Sequence, residues 1–152
     1  MTPTDISESE DLVYGTFAPV SWSEAERRYR ELASTAQVVV RAVAKAMDFD
    51  RETYQQRVHS DVIETARQAI FAESLEVHVA DSETFDSWRR AYTHDVHIAG
   101  GDTVGNVAWH VSEPAQTAVA ATFENEPEAA VGTVRRMAFN RLYRERLTGE
   151  PL

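Results

Sequence analysis

The fold class is decided by residues 61–82, DVIETARQAIFAESLEVHVADS, where the spacing of the apolar residues changes. In the first part of this stretch the apolar side chains share one face of a helix: Val62, Ile63, Ala66, Ala69 and Ile70. From Leu75 to Val79 apolar and polar residues alternate strictly, which is the period of a strand. The sequence therefore predicts a helix over about 61–73 and a strand directly after it.

A longer helix precedes this stretch and begins at a capping box formed by Ser21 and Glu24. Its apolar residues recur at alternating steps of three and four, which makes a seam of period 3.5: Trp22, Ala25, Tyr29, Leu32, Ala36, Val39, Val43 and Ala46. We predict one continuous helix over 22–46. Because further apolar residues widen its second half, we expect that half to be surrounded by protein. A short helix near 51–58 connects it to the next, so that the two long helices form an antiparallel hairpin.

The rest of the chain carries shorter elements. A short helix is predicted after a cap at Asp81 or Ser82. Period-two patterns then predict further strands at about 95–99, 106–112 and 116–123. Pro127 indicates the first turn of the last helix, which we expect to end near Leu147.

These elements predict an α+β fold in two layers, with the order ααα-β-α-β-β-β-α. A helical hairpin packs on a largely antiparallel sheet of about four strands, and the last three strands form a meander. We expect one domain over 14–152, with a helical half at about 21–74 and a strand-containing half at about 75–147. The acidic residues 1–13 are expected to form a disordered tail. Trp109 is expected to be mostly buried.

The charge balance indicates a compartment and argues against two kinds of partner. The 152 residues include 25 acidic and 15 basic ones, the net charge is −10, and Lys45 is the only lysine. Such a surface repels nucleic acids and anionic membranes at ordinary salt. Excess carboxylates with almost no lysine are typical of a halophilic cytoplasm, where the repulsion is screened. The alternative is an acidic protein from a mesophile with a GC-rich genome.

We predict that the melting temperature rises when potassium chloride is increased from low to molar concentration. At molar salt the Debye length falls to about 3 Å, so the repulsion between surface carboxylates is largely screened. Thermal unfolding followed by circular dichroism measures the effect. A melting temperature that stays flat or falls would contradict the halophilic interpretation.

The sequence also excludes several kinds of site. It contains no cysteine, which rules out disulfides, thiolate metal sites and cysteine nucleophiles. No apolar run approaches the roughly 18 residues of a membrane span, and the acidic N-terminus is unlike a secretory signal. No phosphate-binding glycine motif or zinc-protease motif is present, and no cofactor is indicated. We expect a cytoplasmic protein without a membrane partner.

Polar residues on three predicted strands form the first candidate site. If the apolar faces of the strands agree, strand alternation places five polar side chains together on the other face: Glu76, His78, Asp95, His97 and His110. Imidazoles and carboxylates that converge are able to bind zinc or to act as general acid and base. The simpler interpretation is the polar face of a half-exposed sheet, and we predict no metal site. Ala118 and Ala120 suggest that a helix partly covers this face.

Two further candidate surfaces lie on helices. The last helix carries arginines able to bind phosphate or nucleic acid, Arg135, Arg136, Arg141 and Arg144. Cations are also favoured near a helix C-terminus, and the acidic surface is able to pair them internally. The seam of the first helix carries residues typical of interfaces, Trp22, Arg28, Tyr29 and Leu32. Either this seam pairs with a second chain, or it packs on the hairpin partner and the sheet.

Two stretches resemble a known family. They are residues 28–50, RYRELASTAQVVVRAVAKAMDFD, and residues 118–145, AVAATFENEPEAAVGTVRRMAFNRLYRE. Both are similar to an uncharacterised haloarchaeal family, a domain of unknown function, and the resemblance covers most of the chain after the acidic tail. It implies a salty cytoplasm and supplies no activity, ligand or catalytic residue.

The sequence favours a non-catalytic partner-binding or regulatory module of a halophilic cytoplasm, with an unknown protein partner. One form of such a module is a homodimer that pairs through residues 22–46. The alternative is a small metal- or histidine-dependent enzyme that uses the polar face of the sheet. A nucleic-acid accessory protein is the third hypothesis, which the negative charge disfavours.

Overall fold

The computed structural model has the predicted order of helices and strands, with one additional strand at its start. It describes residues 12–101 and 104–149. In chain order the elements are β1 (Leu12–Tyr14), α1 (Trp22–Ala46), α2 (Arg51–Arg57), α3 (Ser60–Ser74), β2 (Val77–Asp81), α4 (Ser82–Ala91), β3 (Asp95–Ala99), β4 (Asn106–Ser112), β5 (Thr117–Phe123), α5 (Pro127–Ala138), a π-helical segment (Phe139–Tyr143) and α6 (Arg144–Thr148). The α+β class is confirmed.

The predicted acidic tail falls largely outside this description. Residues 1–11 lie outside the described residues. The last two residues of the predicted tail, Leu12 and Val13, belong to β1. Leu12 pairs with Val79, and Val13 pairs with His78.

α1 is one continuous helix over the predicted range, and it begins at the predicted cap. The Glu24 backbone N–H donates to Ser21 Oγ at 3.1 Å, and the Val20 N–H donates to Glu24 Oε1 at 3.1 Å. α3 packs along α1 to complete the predicted helical hairpin. The Tyr29 hydroxyl donates to the Glu64 carboxylate, and Arg67 Nε donates to the Tyr29 carbonyl at 2.8 Å, so the first part of α1 is joined to the middle of α3.

The sheet is mixed and has five strands in the order β1-β2-β4-β5-β3. β1, β2, β4 and β5 pair antiparallel along this order, whereas β3 lies parallel to β5. The prediction of about four strands with a final meander is therefore wrong in two respects. β4 and β5 are the most deeply buried strands and take interior positions, while the more polar β3 takes the edge.

Helices cover both faces of the sheet, so the predicted two layers are three. On one face α1, α3 and α5 enclose the main core, in which Phe71 and Tyr143 are fully buried. On the other face α4 packs Phe85 against Trp109 and Ala120. Trp109 is 2% exposed, which confirms its predicted burial. Ala120 lies beneath α4 beside Trp109, on the opposite face of the sheet from His110 and His97.

The last predicted helix is interrupted by the π-helical segment between α5 and α6. A π-helical turn inserts one residue into an α-helix and rotates the side chains that follow. Here it buries Phe139, Leu142 and Tyr143. The helix ends at Thr148, one residue beyond the predicted Leu147, and its C-cap Gly149 has a left-handed φ of 77°. Among the described residues, no helix combines the length and the apolar character needed to cross a membrane.

Candidate functional site

The residues of the predicted polar face do not meet in space. β2 pairs His78 with Trp109, and paired residues of neighbouring strands lie on the same face. Because strand residues alternate, His110 lies on the opposite face from Trp109 and His78. Val119 of β5 pairs with both His110 and His97, so His97 and His110 lie on the same side of the sheet. His97 is exposed on the edge strand β3. The condition for the candidate cluster, agreement of the apolar faces of the three strands, is therefore not met.

The error comes from the assumption that the apolar faces of the strands agree. Val77 and Val79 of β2 face the main core, whereas Val107 and Trp109 of β4 face α4. Alternation marks a polar face only where one side of a sheet is solvated. Since helices cover both sides of this sheet, successive residues of β4 enter two different interior layers. The alternation along the strand does not reveal which layer a given residue enters.

His78 belongs to the aromatic layer beneath α4. Its ring stacks on Trp109 with 5.4 Å between ring centroids, and its Nε2 lies 3.4 Å from Glu76 Oε1. Asp95 is exposed at the start of β3. Across the described ranges, no three His, Cys, Asp or Glu side chains are arranged to hold a metal ion.

His110 has a structural environment in the main core. It is fully buried, its Nδ1 lies 2.7 Å from the Glu76 carbonyl, and its Nε2 lies 2.8 Å from the Tyr143 hydroxyl. The carbonyl only accepts, so Nδ1 carries the proton and Nε2 of the neutral ring accepts from Tyr143. Burial lowers the pKa of His110 from 6.5 to about 4, and it raises the pKa of Tyr143. Both groups are therefore neutral at physiological pH.

Sequence reasoning missed the partner of His110. Tyr143 reaches the histidine because the π-helical segment ends at this residue and directs it into the core. Ser112, also fully buried, lies two residues after His110 on the same face of β4 and accepts from the Ala115 N–H at 3.2 Å. Two polar residues at this spacing on an otherwise apolar strand were the available signal for a buried polar network.

Tyr143→Phe is expected to lower the free energy of unfolding by about 1–3 kcal/mol, because it leaves the buried Nε2 of His110 without a donor. Tyr92→Phe is the matched control, since the buried Tyr92 hydroxyl has no hydrogen-bond partner among the described residues. Its removal is expected to change stability by no more than about 0.5 kcal/mol. Urea denaturation of the two variants measures both effects, and equal losses would contradict the assigned hydrogen bond.

The arginines of the last helix are largely engaged within the chain. Arg135 Nε donates to the Leu75 carbonyl at 3.2 Å, and its Nη1 donates to Glu73 at 3.2 Å. Arg144 donates to Asn140 Oδ1 at 2.7 Å. The remaining two, Arg136 and Arg141, are exposed, and Arg136 donates to Thr133 at 3.3 Å. The most buried of these guanidinium groups therefore ties α5 to the end of α3 and offers no anion site.

The predicted interface residues at the start of the α1 seam are used inside the chain. Tyr29 and Leu32 are buried in the main core. The Trp22 ring contacts Tyr143 at 6.0 Å between centroids, and the Arg28 guanidinium lies over the Phe17 ring at 4.4 Å. Tyr29 and Leu32 are therefore not available to a second chain, and Trp22 and Arg28 are partly buried against rings of their own chain. The N-terminal half of the seam packs on its own hairpin partner and core, which is the second of the two interpretations that the sequence left open.

The second half of the seam is not covered. Val39, Val43 and Ala46 continue the row of Leu32 without a change of period, yet all three are exposed. We call these three residues the open seam. Val39 is 41% exposed and Val43 is 52% exposed. The prediction that this half is surrounded by protein is thus wrong, because among residues 37–46 only Val40 and Ala44 are buried.

The hairpin end holds most of the exposed large apolar side chains. Among the described residues nine such side chains are exposed, and five of them lie on α1, its C-cap or α3: Val38, Val39, Val43, Met47 and Val62. In the same region α1 buries Val40 and Ala44, while α2 buries none of its residues. Exposed apolar side chains that lie close together are typical of an interaction surface.

Comparisons with known proteins agree with the resemblance found in the sequence. No curated protein and no solved structure matches the chain. A family of unknown function (DUF5809) matches residues 16–144, which include both of the stretches that carried the resemblance apart from Glu145. The chain belongs to this family of unknown function.

Proposed function

We propose that this chain is a non-catalytic partner-binding module that docks a protein chain on the open seam. The observation that carries the proposal is the exposure of the open seam. After Ala36 the buried residues of α1 are Val40 and Ala44, while the apolar seam residues Val39, Val43 and Ala46 lie exposed beside them. Neighbouring exposed apolar side chains are typical of a surface that another protein chain covers.

The charge of this surface supports the same function. Residues 32–47 contain no acidic side chain, and they include Arg41 and Lys45, although the whole chain has a net charge of −10. Elsewhere the negative surface opposes association with other acidic proteins. The C-terminal half of α1 is therefore a place where an acidic protein is able to approach with little repulsion.

The competing hypotheses have less support in the geometry. A histidine-dependent enzyme requires His78 and His110 on one side of the sheet, and they lie on opposite sides. A nucleic-acid interface requires accessible arginines, and Arg135 is bonded to the Leu75 carbonyl and Glu73. For the setting of this module we propose a halophilic cytoplasm, with residues 14–152 acting as one domain, on the support of the acidic, lysine-poor composition.

A photo-crosslinking amino acid tests the docking surface. p-Benzoylphenylalanine placed at Val43 in the protein's own cells is expected to give an adduct under ultraviolet light. The same group at Val20, which is 69% exposed and lies outside the hairpin end, is the matched control and is expected to give none. A second change on the same row, Val39→Glu, is expected to abolish the adduct at position 43. An absent adduct, or one that survives Val39→Glu, would refute the proposal.

A further inference from the structure

We infer that a cavity beside α4 binds a small zwitterion with an apolar side chain, namely a free apolar α-amino acid. The cavity has a volume of about 350 Å³ and is lined by residues of α4, β3, β4, β5 and the connection between β3 and β4. This volume is at the lower end of the range of ligand pockets, which suits a ligand of about ten non-hydrogen atoms. The cavity shares no residue with the open seam, so the inference goes beyond the docking function.

The cavity exists because α4 covers only part of its face of the sheet. α4 packs chiefly over β2 and β4. On the same face Ile98 of β3 pairs with Ala120, and Thr122 of β5 pairs with Val107. Ala120 is fully buried, whereas its neighbour Ile98 is 38% exposed. The parallel pair of strands β3 and β5 thus presents an apolar surface that α4 leaves open.

The inner wall of the cavity is apolar. It is formed by Phe85 and Val107, which are buried in the layer beneath α4, and by the exposed Ile98. Removal of an apolar group from water against such a wall is favourable, whereas a wholly polar ligand would lose water contacts without replacing them. The wall therefore favours a ligand with an aliphatic or aromatic group.

Two opposite charges lie at the edge of the cavity. Asp86 and Arg89 both line it, and both are exposed. They are three residues apart on α4 and are therefore neighbours on the helix surface. Glu64 and Arg67 have the same spacing on α3 and form an ion pair at 3.1 Å. Within the described ranges, the side chains of Asp86 and Arg89 have no such partner. Both are thus available to a ligand.

The pair of charges decides the class of ligand. A simple anion would pair with Arg89 but would meet the carboxylate of Asp86, and a simple amine would meet the guanidinium. An α-amino acid carries its ammonium and carboxylate groups on one carbon, so each group meets its opposite charge while the side chain enters the cavity. Directly paired groups are no farther apart than the Debye length of about 3 Å at molar salt, so these contacts persist there.

A titration with L-leucine in molar potassium chloride, followed by nitrogen–proton correlation NMR of the backbone amides, measures the binding. Leucine is expected to shift the amide signals of Ile98 and Thr122, with a dissociation constant on the order of 0.1–1 mM for a ligand of this size. Two analogues test its parts: glycine lacks the apolar side chain, and isocaproate lacks the ammonium group. Both are expected to bind at least about tenfold more weakly.

Three substitutions on the exposed surface of α4 test the charges. Arg89→Gln is expected to weaken leucine binding by at least about tenfold. Arg90→Gln removes the same charge at the next residue, which does not line the cavity, and is expected to leave binding unchanged. Asp86→Asn is expected to weaken leucine but to strengthen isocaproate, because it removes the carboxylate that repels this anion. A general loss of structure would weaken both ligands.

Three results would overturn the inference. The first is that leucine shifts no amide signal at concentrations up to about 10 mM. The second is that glycine or isocaproate binds as tightly as leucine. The third is that Arg89→Gln and Arg90→Gln have equal effects. The photo-crosslinking experiment at Val43 does not involve the cavity, so its outcome decides the docking function separately.

Discussion

Phe71→Ala is expected to lower the free energy of unfolding by about 4 kcal/mol, which is the cost of deleting a large buried aromatic side chain and leaving a cavity. Phe71 is fully buried on α3 at the centre of the main core. Its ring makes edge contacts with four aromatic rings, at centroid distances of 5.7, 5.8, 5.9 and 5.5 Å: Phe17, Tyr29, Phe139 and Tyr143. These rings come from the segment after β1, from α1 and from the π-helical segment.

Urea denaturation in molar potassium chloride measures the loss. Because typical domains are stable by only about 5–15 kcal/mol, Phe71→Leu serves as a milder variant, with an expected loss of about 1–2 kcal/mol. Val20→Ala, at an exposed position, is expected to change stability by no more than about 0.5 kcal/mol. A Phe71→Ala variant as stable as Val20→Ala would show that this ring does not join the elements of the core.

The second large effect is a loss of stability in mild acid caused by His110. Burial lowers the pKa of His110 to about 4 in the folded chain, while the unfolded chain keeps the ordinary value of 6.5. Above pH 6.5 the ring is neutral in both states and has no effect. As the pH falls below 6.5, the unfolded state binds the proton first, and the folded state is destabilised until the pH reaches about 4. The difference corresponds to a loss of about 3 kcal/mol.

Urea denaturation of the wild type and of His110→Gln tests this effect. It is carried out at several pH values between about 7.5 and 4, a range that covers the two pKa values. The variant is less stable at neutral pH, because it cannot reproduce both hydrogen bonds, but it lacks the titrating ring. Its stability is therefore expected to fall less than that of the wild type over this range. Carboxylates titrate in both proteins, so they cancel in the comparison. Parallel curves for the two proteins would contradict a buried neutral histidine.

Periodicity and capping signals fixed the local elements, because they act through neighbouring residues. The capping box at Ser21 and the uninterrupted seam predicted α1 with its observed bounds. Alternation predicted β3 and β4 with their observed bounds. The composition predicted that Trp109 is buried, since a large aromatic residue on an apolar strand has no other favourable place.

The candidate sites were less predictable, because they depend on which elements become neighbours. Whether His78 and His110 share a face depends on the register between β2 and β4 and on which layer each strand faces, and neither is written in the period of a single strand. Tyr143 reaches His110 only through the π-helical turn, which inserts a residue without changing the apolar pattern of the sequence.

The sequence by itself determined the helices, most of the strands, the acidic charge and the long seam of α1. Only the tertiary structure decided how far that seam is covered. Its apolar spacing is uniform from Trp22 to Ala46, so the pattern alone gives no point at which burial ends. The main core includes Ala25, Tyr29 and Leu32, and after Ala36 the buried side of α1 passes to Val40 and Ala44. A straight α-helix repeats every 3.6 residues, so a seam of period 3.5 rotates away from the buried side, and Val39 and Val43 are left exposed.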